Sequence, residues 1–181
     1  GVCLVDIGGG TTDIAIFVQG AIRHTAVIPI AGDQITNDIA IAFRTSTQDA
    51  ESIKLDYGVA LQQLANADEK LEVPGVGDRP STRLSRQTLA SVIQPRAEEI
   101  FLKVQDELRK SGLERLLRAG IVLTGGASAM SGMTQLGEEI FHNTVKLGVP
   151  VYAGKFEDVV CNPRFSTAMG LLQEGMLQKK R

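Results

Sequence analysis

Apolar runs broken by glycine set the frame of this chain. Val2 to Ile7 is apolar apart from Asp6; Gly8-Gly9-Gly10 and Thr11-Thr12-Asp13 follow, and a second apolar run extends from Ile14 to Val18. Two such runs around a glycine break predict antiparallel strands joined by a tight turn. After a second turn at Gln19-Gly20-Ala21, a third strand is expected from about Ile22 to Ile30, ending near Pro29. From Ala31 the period lengthens, and Ile35, Ile39, Ala42 and Phe43 share one helical face. The opening third is therefore a three-strand meander followed by a helix that crosses back over it.

Thr45-Ser46-Thr47 interrupts that helix with capping residues, and a second helix is predicted from Asp49 to Tyr57, stopped by Gly58. Residues 59–83 read as irregular. Within them Leu71 to Val76 and Thr82 to Leu84 flank Gly77-Asp78-Arg79-Pro80, an edge hairpin because proline cannot donate to a central ladder. A long helix is expected from Ser85 to Lys110, capped by Ser85 and ended by Gly112, and kinked or split at Pro95. Ile121 to Thr124 is a short apolar strand leading into Gly125-Gly126, with a helix from Met133 to Phe141 behind it. Val145 to Val149 and Val151-Tyr152 read as extended. Asn162-Pro163 opens a final helix, in which Ala168 and Gly170 are small enough for tight contact.

Composition adds few constraints. With 43% hydrophobic residues the chain can form a real core. A net charge of -2, two tyrosines, six phenylalanines and no tryptophan argue against a nucleic-acid surface. Cys3 lies in a strand expected to be buried, far in sequence from Cys161, so two reduced thiols and a cytosolic setting are the reading. His24 and His142 are too far apart to suggest a metal cluster or a histidine-based catalytic group. No apolar run approaches a membrane span. The chain starts at Gly1 directly on a strand, which reads as a piece of something longer.

Three stretches carry candidate chemistry. In the first, Gly8, Gly9 and Gly10 let a ligand approach the backbone and let amides converge on an anion, Thr11 and Thr12 add hydroxyls, and Asp6 is placed to hold the waters of a phosphate-bound Mg²⁺. The same letters also fit a plain glycine hairpin. In the second, Glu51 and Lys54 share a helix face, and alone they fit a solvated ion pair. In the third, the strand before Gly125-Gly126 aims backbone amides beyond its carboxyl end. The long helix also carries Arg86 and Arg96 outward, either a wet face or a docking surface for an acidic peptide.

D-x-G-x-x-T-x-D between two strands, E-x-x-K at Glu51 to Lys54, and G-I-V-L-T-G-G-A-S at Gly120 to Ser128 together resemble the actin, Hsp70 and sugar-kinase ATPases. Within that superfamily I-P-I-A-G-D-Q-I-T-N-D-I-A, D-A-E-S-I-K-L-D-Y-G, R-Q-T-L-A-S-V-I-Q-P-R and N-P-R-F-S-T-A-M-G-L-L resemble the FtsA cell-division proteins along the whole chain. The resemblance implies an α/β fold: half of an actin-like ATPase, with a ribonuclease-H-like mixed sheet (subdomain 2A, residues 1–45 and 119–181) and an inserted α+β subdomain (2B, residues 46–118). It implies ATP and Mg²⁺ held in a cleft shared with an N-terminal half. Asp6, Gly8, Gly9, Gly10, Thr11 and Thr12 would face the β/γ-phosphates, Glu51 and Lys54 the ribose and adenine, and Gly125, Gly126 and Ser128 the adenosine, with Asp6 reaching the Mg²⁺ through water. Catalytic residues are not assigned in this half, and at most a weak ATPase is expected once the halves are joined. The family's partners would be the acidic C-terminal tail of FtsZ, held by Arg86 and Arg96, further copies in a filament, and other division proteins. The membrane would be met through an amphipathic C-terminal helix beyond the basic Lys179-Lys180-Arg181, at the cytoplasmic face of the division site. The alternative is half of an actin-like chaperone or phosphotransferase.

Overall fold

The computed structural model describes residues 1–152 and 154–179, so the basic end is described only at Lys179. In chain order the elements are β1 (Val2–Ile7), β2 (Thr12–Val18), β3 (Ala21–Ile28), α1 (Gly32–Phe43), α2 (Thr47–Tyr57), β4 (Lys70–Val73), β5 (Thr82–Ser85), α3 (Arg86–Ser111), β6 (Ile121–Thr124), α4 (Met133–Phe141), β7 (Val145–Leu147), α5 (Glu157–Val160) and α6 (Ser166–Gln178). Five strands form one mixed sheet in the order β3-β2-β1-β6-β7, with the meander antiparallel and β1-β6 and β6-β7 parallel. The hairpin β4-β5 stands as a separate two-stranded sheet.

The pleat sorts the sheet into two faces. Cys3, Val5, Ile7, Ile14, Ile16, Ile121 and Leu123 are buried on one side, and that side is continuous with the apolar stripes of α1, α3 and α4. On α3 the buried positions Leu89, Ile93, Ala97, Ile100, Phe101, Val104 and Leu108 recur every three or four residues. Phe101 meets Phe141 of α4 edge-on, with ring centroids 5.3 Å apart.

Several expectations change against the structure. α3 is one helix of 26 residues with Pro95 inside it, not two. Proline in a helix interior costs about 3 kcal/mol, but the stripes on either side of Pro95 lie on one face, and burying both offsets that cost. α2 starts at Thr47, where the Ser46 hydroxyl accepts from the Asp49 amide at 3.0 Å. Val151-Tyr152 is not a strand, and the short α5 was not foreseen. The tight packing expected of Ala168 and Gly170 is not made among the described residues: α6 buries no side chain, and a Cβ on Gly170 would meet nothing within 4 Å.

Candidate functional site

β1 and β6 run parallel with Asp6 beside Thr124, so the turns that follow them leave the sheet at the same edge. Ligands in open α/β sheets sit beyond such carboxyl ends. After β1 the chain turns through Gly8-Gly9-Gly10, closed by the Gly8 amide donating to the Thr11 carbonyl at 3.0 Å. The first amides of α1 hold this turn from behind. Gly32 N donates to the Gly8 carbonyl at 3.0 Å, and Asp33 N donates to the Gly9 carbonyl at 2.8 Å. The amides of Gly9, Gly10 and Thr11 donate to no carbonyl or carboxylate of the described residues, and all three residues are exposed. Three unbonded amides at an exposed tip are available to an anion.

The glycines serve a purpose other than left-handed backbone. None of Gly8, Gly9 and Gly10 has positive φ. A Cβ on Gly9 would stand 2.9 Å from Asp33 Oδ1, whereas one on Gly10 would meet nothing within 4 Å. Gly9 therefore admits the start of α1, and Gly10 leaves the outer side clear.

The turn after β6 leans directly on β1. Gly125 has φ of 87°, and a side chain there would overlap both Asp6 Oδ1 and the Ile7 carbonyl. Gly126 is exposed, and its nearest neighbour would be Arg164 Cβ at 3.7 Å. The residues after it form a single 3-10 turn, Gly126–Ala129, while α4 begins later at Met133. The diglycine loop thus runs into this turn and not directly into α4. Ser128 is buried and donates to the Gly125 carbonyl at 2.7 Å, so its hydroxyl shapes the turn and does not reach outward.

Thr12 is a second such correction. Its side chain is fully buried and its hydroxyl donates to the Ile30 carbonyl at 2.8 Å, pinning the end of the meander under the turn. It is not free to meet a phosphate. Thr11 is exposed and donates to Asp13 Oδ2 at 2.9 Å. Asp6 is half-buried, and its Oδ2 accepts from Thr167 at 3.0 Å.

Lys54 reaches back across α1. It is only 7% exposed, and its three donors find the Gly32 carbonyl at 3.1 Å, Thr36 Oγ1 at 2.7 Å and Glu51 Oε2 at 2.7 Å. Glu51 also accepts from Thr36. Burial raises the Glu51 carboxyl, but the hydrogen bonds from Lys54 and Thr36 and the Lys54 charge outweigh it, leaving its pKa below the ordinary value. The pair is thus part of the framework, not a solvated bridge. Its outer edge still faces a hollow of about 520 Å³ bordered by Asp33, Thr47, Gln48 and Ser52.

Everything meets at Gly32. A Cβ there would stand 3.1 Å from the Gly8 carbonyl, 3.2 Å from Ala127 Cβ and 3.5 Å from Lys54 Nζ. Turn, helix and diglycine loop close on one point, and a side-chain carbon there would press the Gly8 carbonyl and Ala127 outward by a few tenths of an ångström. Sequence reasoning did not single out Gly32, Thr36 or Thr167 as site residues; a glycine where a helix begins was the available signal. Beside this point a cavity of about 210 Å³ is bordered by Lys54, Leu55, Arg86, Gly126, Ala127 and Met130. That is smaller than the roughly 300–1,000 Å³ of a whole-ligand pocket, as one wall of a cleft would be.

Arg86 and Arg96 do not form one patch. Arg86 borders that cavity, donating to the Tyr57 carbonyl and to Glu69, each at 3.0 Å. Arg96 clasps Asp38 of α1 through two hydrogen bonds of 2.6 and 3.0 Å and meets Glu99 at 2.5 Å. No group of three or more His, Cys, Asp or Glu side chains that could hold a metal occurs among the described residues.

The family model for cell division protein FtsA matches residues 3–170. The chain belongs to the FtsA family. It is 64% identical to FtsA of Pseudomonas aeruginosa over 180 residues and 48% identical to that of Escherichia coli over 182, which covers 99% and 97% of this chain. It spans 43% of the length of each. In fold it is similar to MreB 5 of Spiroplasma citri bound to AMPPNP, with a TM-score of 0.75, 21% identity, and coverage of 99% of this chain and 54% of that one. The ribonuclease-H-like mixed sheet of this FtsA-family chain is thus an actin-like ATPase fold. No helix among its described residues is long and apolar enough to cross a membrane.

Proposed function

We propose that this chain forms one wall of a nucleotide cleft in an actin-like cell-division protein. The convergence at Gly32 carries the reading: a triglycine turn with three unbonded amides and a diglycine turn, after adjacent parallel strands, share a hub with a buried lysine and a base-sized hollow. ATP fits that arrangement. Its phosphates would meet the amides of Gly9, Gly10 and Thr11, and its base would meet the hollow between Lys54 and Gly126. Asp6, held by Thr167, would orient waters of a phosphate-bound Mg²⁺. The nucleotide supplies the phosphoryl group; this chain positions it. MreB 5 bound to AMPPNP, similar in fold, supports the class of ligand.

In the whole protein the nucleotide would govern self-association into filaments. Residues 1–45 and 119–181 would act as subdomain 2A and residues 46–118 as 2B, with Arg86 and Arg96 taking the acidic tail of FtsZ and membrane contact lying in another segment of the whole protein. The test is equilibrium binding of a fluorescent ATP analogue to the whole protein. Asp6→Ala should abolish Mg²⁺-dependent affinity, and retained affinity would show that the triglycine turn is not a phosphate loop.

A further inference from the structure

α1 serves two ends. Its first two amides hold the triglycine turn, and Asp38, six residues beyond Gly32 and about 9 Å along the axis, is clasped by Arg96 of α3. Arg96 has little left to offer an incoming carboxylate. Its Nε and Nη2 edge is filled by Asp38, and Nη1 donates to Glu99. A guanidinium binds a carboxylate best through two parallel N–H groups, and both of its edges are wholly or partly occupied. Any acidic ligand also meets two resident negative charges.

We propose that Asp38 is an internal competitor for the acidic-peptide site at Arg96, and that a peptide carboxylate takes its place. The inference rests on the reading that Arg96 receives an acidic tail. When the exchange occurs, α1 loses its polar tie to α3 while its apolar packing through Ile35 and Ile39 persists. The end of α1 that loosens is continuous with the end that backs the phosphate turn. Peptide and nucleotide are therefore coupled through one helix, and by linkage each changes the other's affinity by the same factor.

The experiment uses this chain and a fluorescein-labelled synthetic peptide carrying aspartates and leucines, followed by anisotropy. Asp38→Asn should bind about two- to fivefold more tightly than the unaltered chain, the range that the worth of such an ion pair converts to, and Asp38→Ser serves as a second variant. Glu99→Gln should gain less. Saturating peptide should speed amide exchange at Gly32 and Asp33. Unchanged or weaker binding by both Asp38 variants, with binding still lost in Arg96→Ala, overturns the competition and leaves the peptide site standing. Undiminished binding by Arg96→Ala overturns both. Amides at Gly32 and Asp33 that exchange at the same rate with peptide bound overturn the coupling.

Discussion

Lys54 Nζ donates to the Gly32 carbonyl at 3.1 Å, joining the last turn of one helix to the first turn of another. The contact explains why a lysine is tolerated with 7% exposure: each of its three N–H groups has an acceptor. Lys54→Met should leave Glu51 without its counter-ion and the Gly32 carbonyl with one donor fewer, Thr36 remaining on both. Because Glu51 stays 43% exposed, the cost is expected at about 1–3 kcal/mol, read by urea denaturation, together with loss of nucleotide affinity in the whole protein.

The same cluster gives a pH dependence. The Glu51 carboxyl is held below its ordinary value of 4.5, so its ion pair with Lys54 is fully present above that value and is lost as pH falls through the lower native value. Unaltered chain should therefore exceed Glu51→Gln in melting temperature at neutral pH. The gap should narrow progressively as pH falls below 4.5; a gap that stays constant to pH 2 would show that the charge contributes nothing.

Thr12 and Thr11 separate structure from binding. Thr12→Val removes the buried donor to Ile30 and is expected to cost about 1–2 kcal/mol, with the nucleotide affinity of the folded whole protein unchanged. Thr11→Ala should leave stability within about 0.5 kcal/mol because the side chain is exposed.

Gly125→Ala places a side chain at positive φ against Asp6 and Ile7. Strain and displacement together should lower stability by about 1–3 kcal/mol and weaken Mg²⁺-dependent nucleotide binding, whereas Gly126→Ala, whose Cβ would make only an ordinary contact with Arg164, should fold normally. Equal unfolding midpoints for the two variants would contradict the arrangement.

Phe101→Ala would open the seam between α3 and α4. The side chain is fully buried against Phe141, so a loss of about 3–5 kcal/mol is expected in denaturant titration.

Local periodicity and glycine breaks were enough to place the meander, α1, the β4-β5 hairpin, β6 and α4, because the period of apolar residues and the turn residues that bound each element are written within the element itself. The quoted motifs were enough for the family and for the residues that gather at the two turns. Local spacing could not say that Thr12 and Ser128 face inward, that Lys54 is saturated, or that Pro95 leaves α3 whole. Those outcomes depend on acceptors and apolar surface brought from distant segments, such as Ile30 for Thr12 and Gly32 for Lys54. A hydroxyl or an ammonium is equally at home in water and against a carbonyl until packing removes the water. Only the tertiary structure makes that choice, and here it made Gly32, a residue with no side chain, the point on which the site closes.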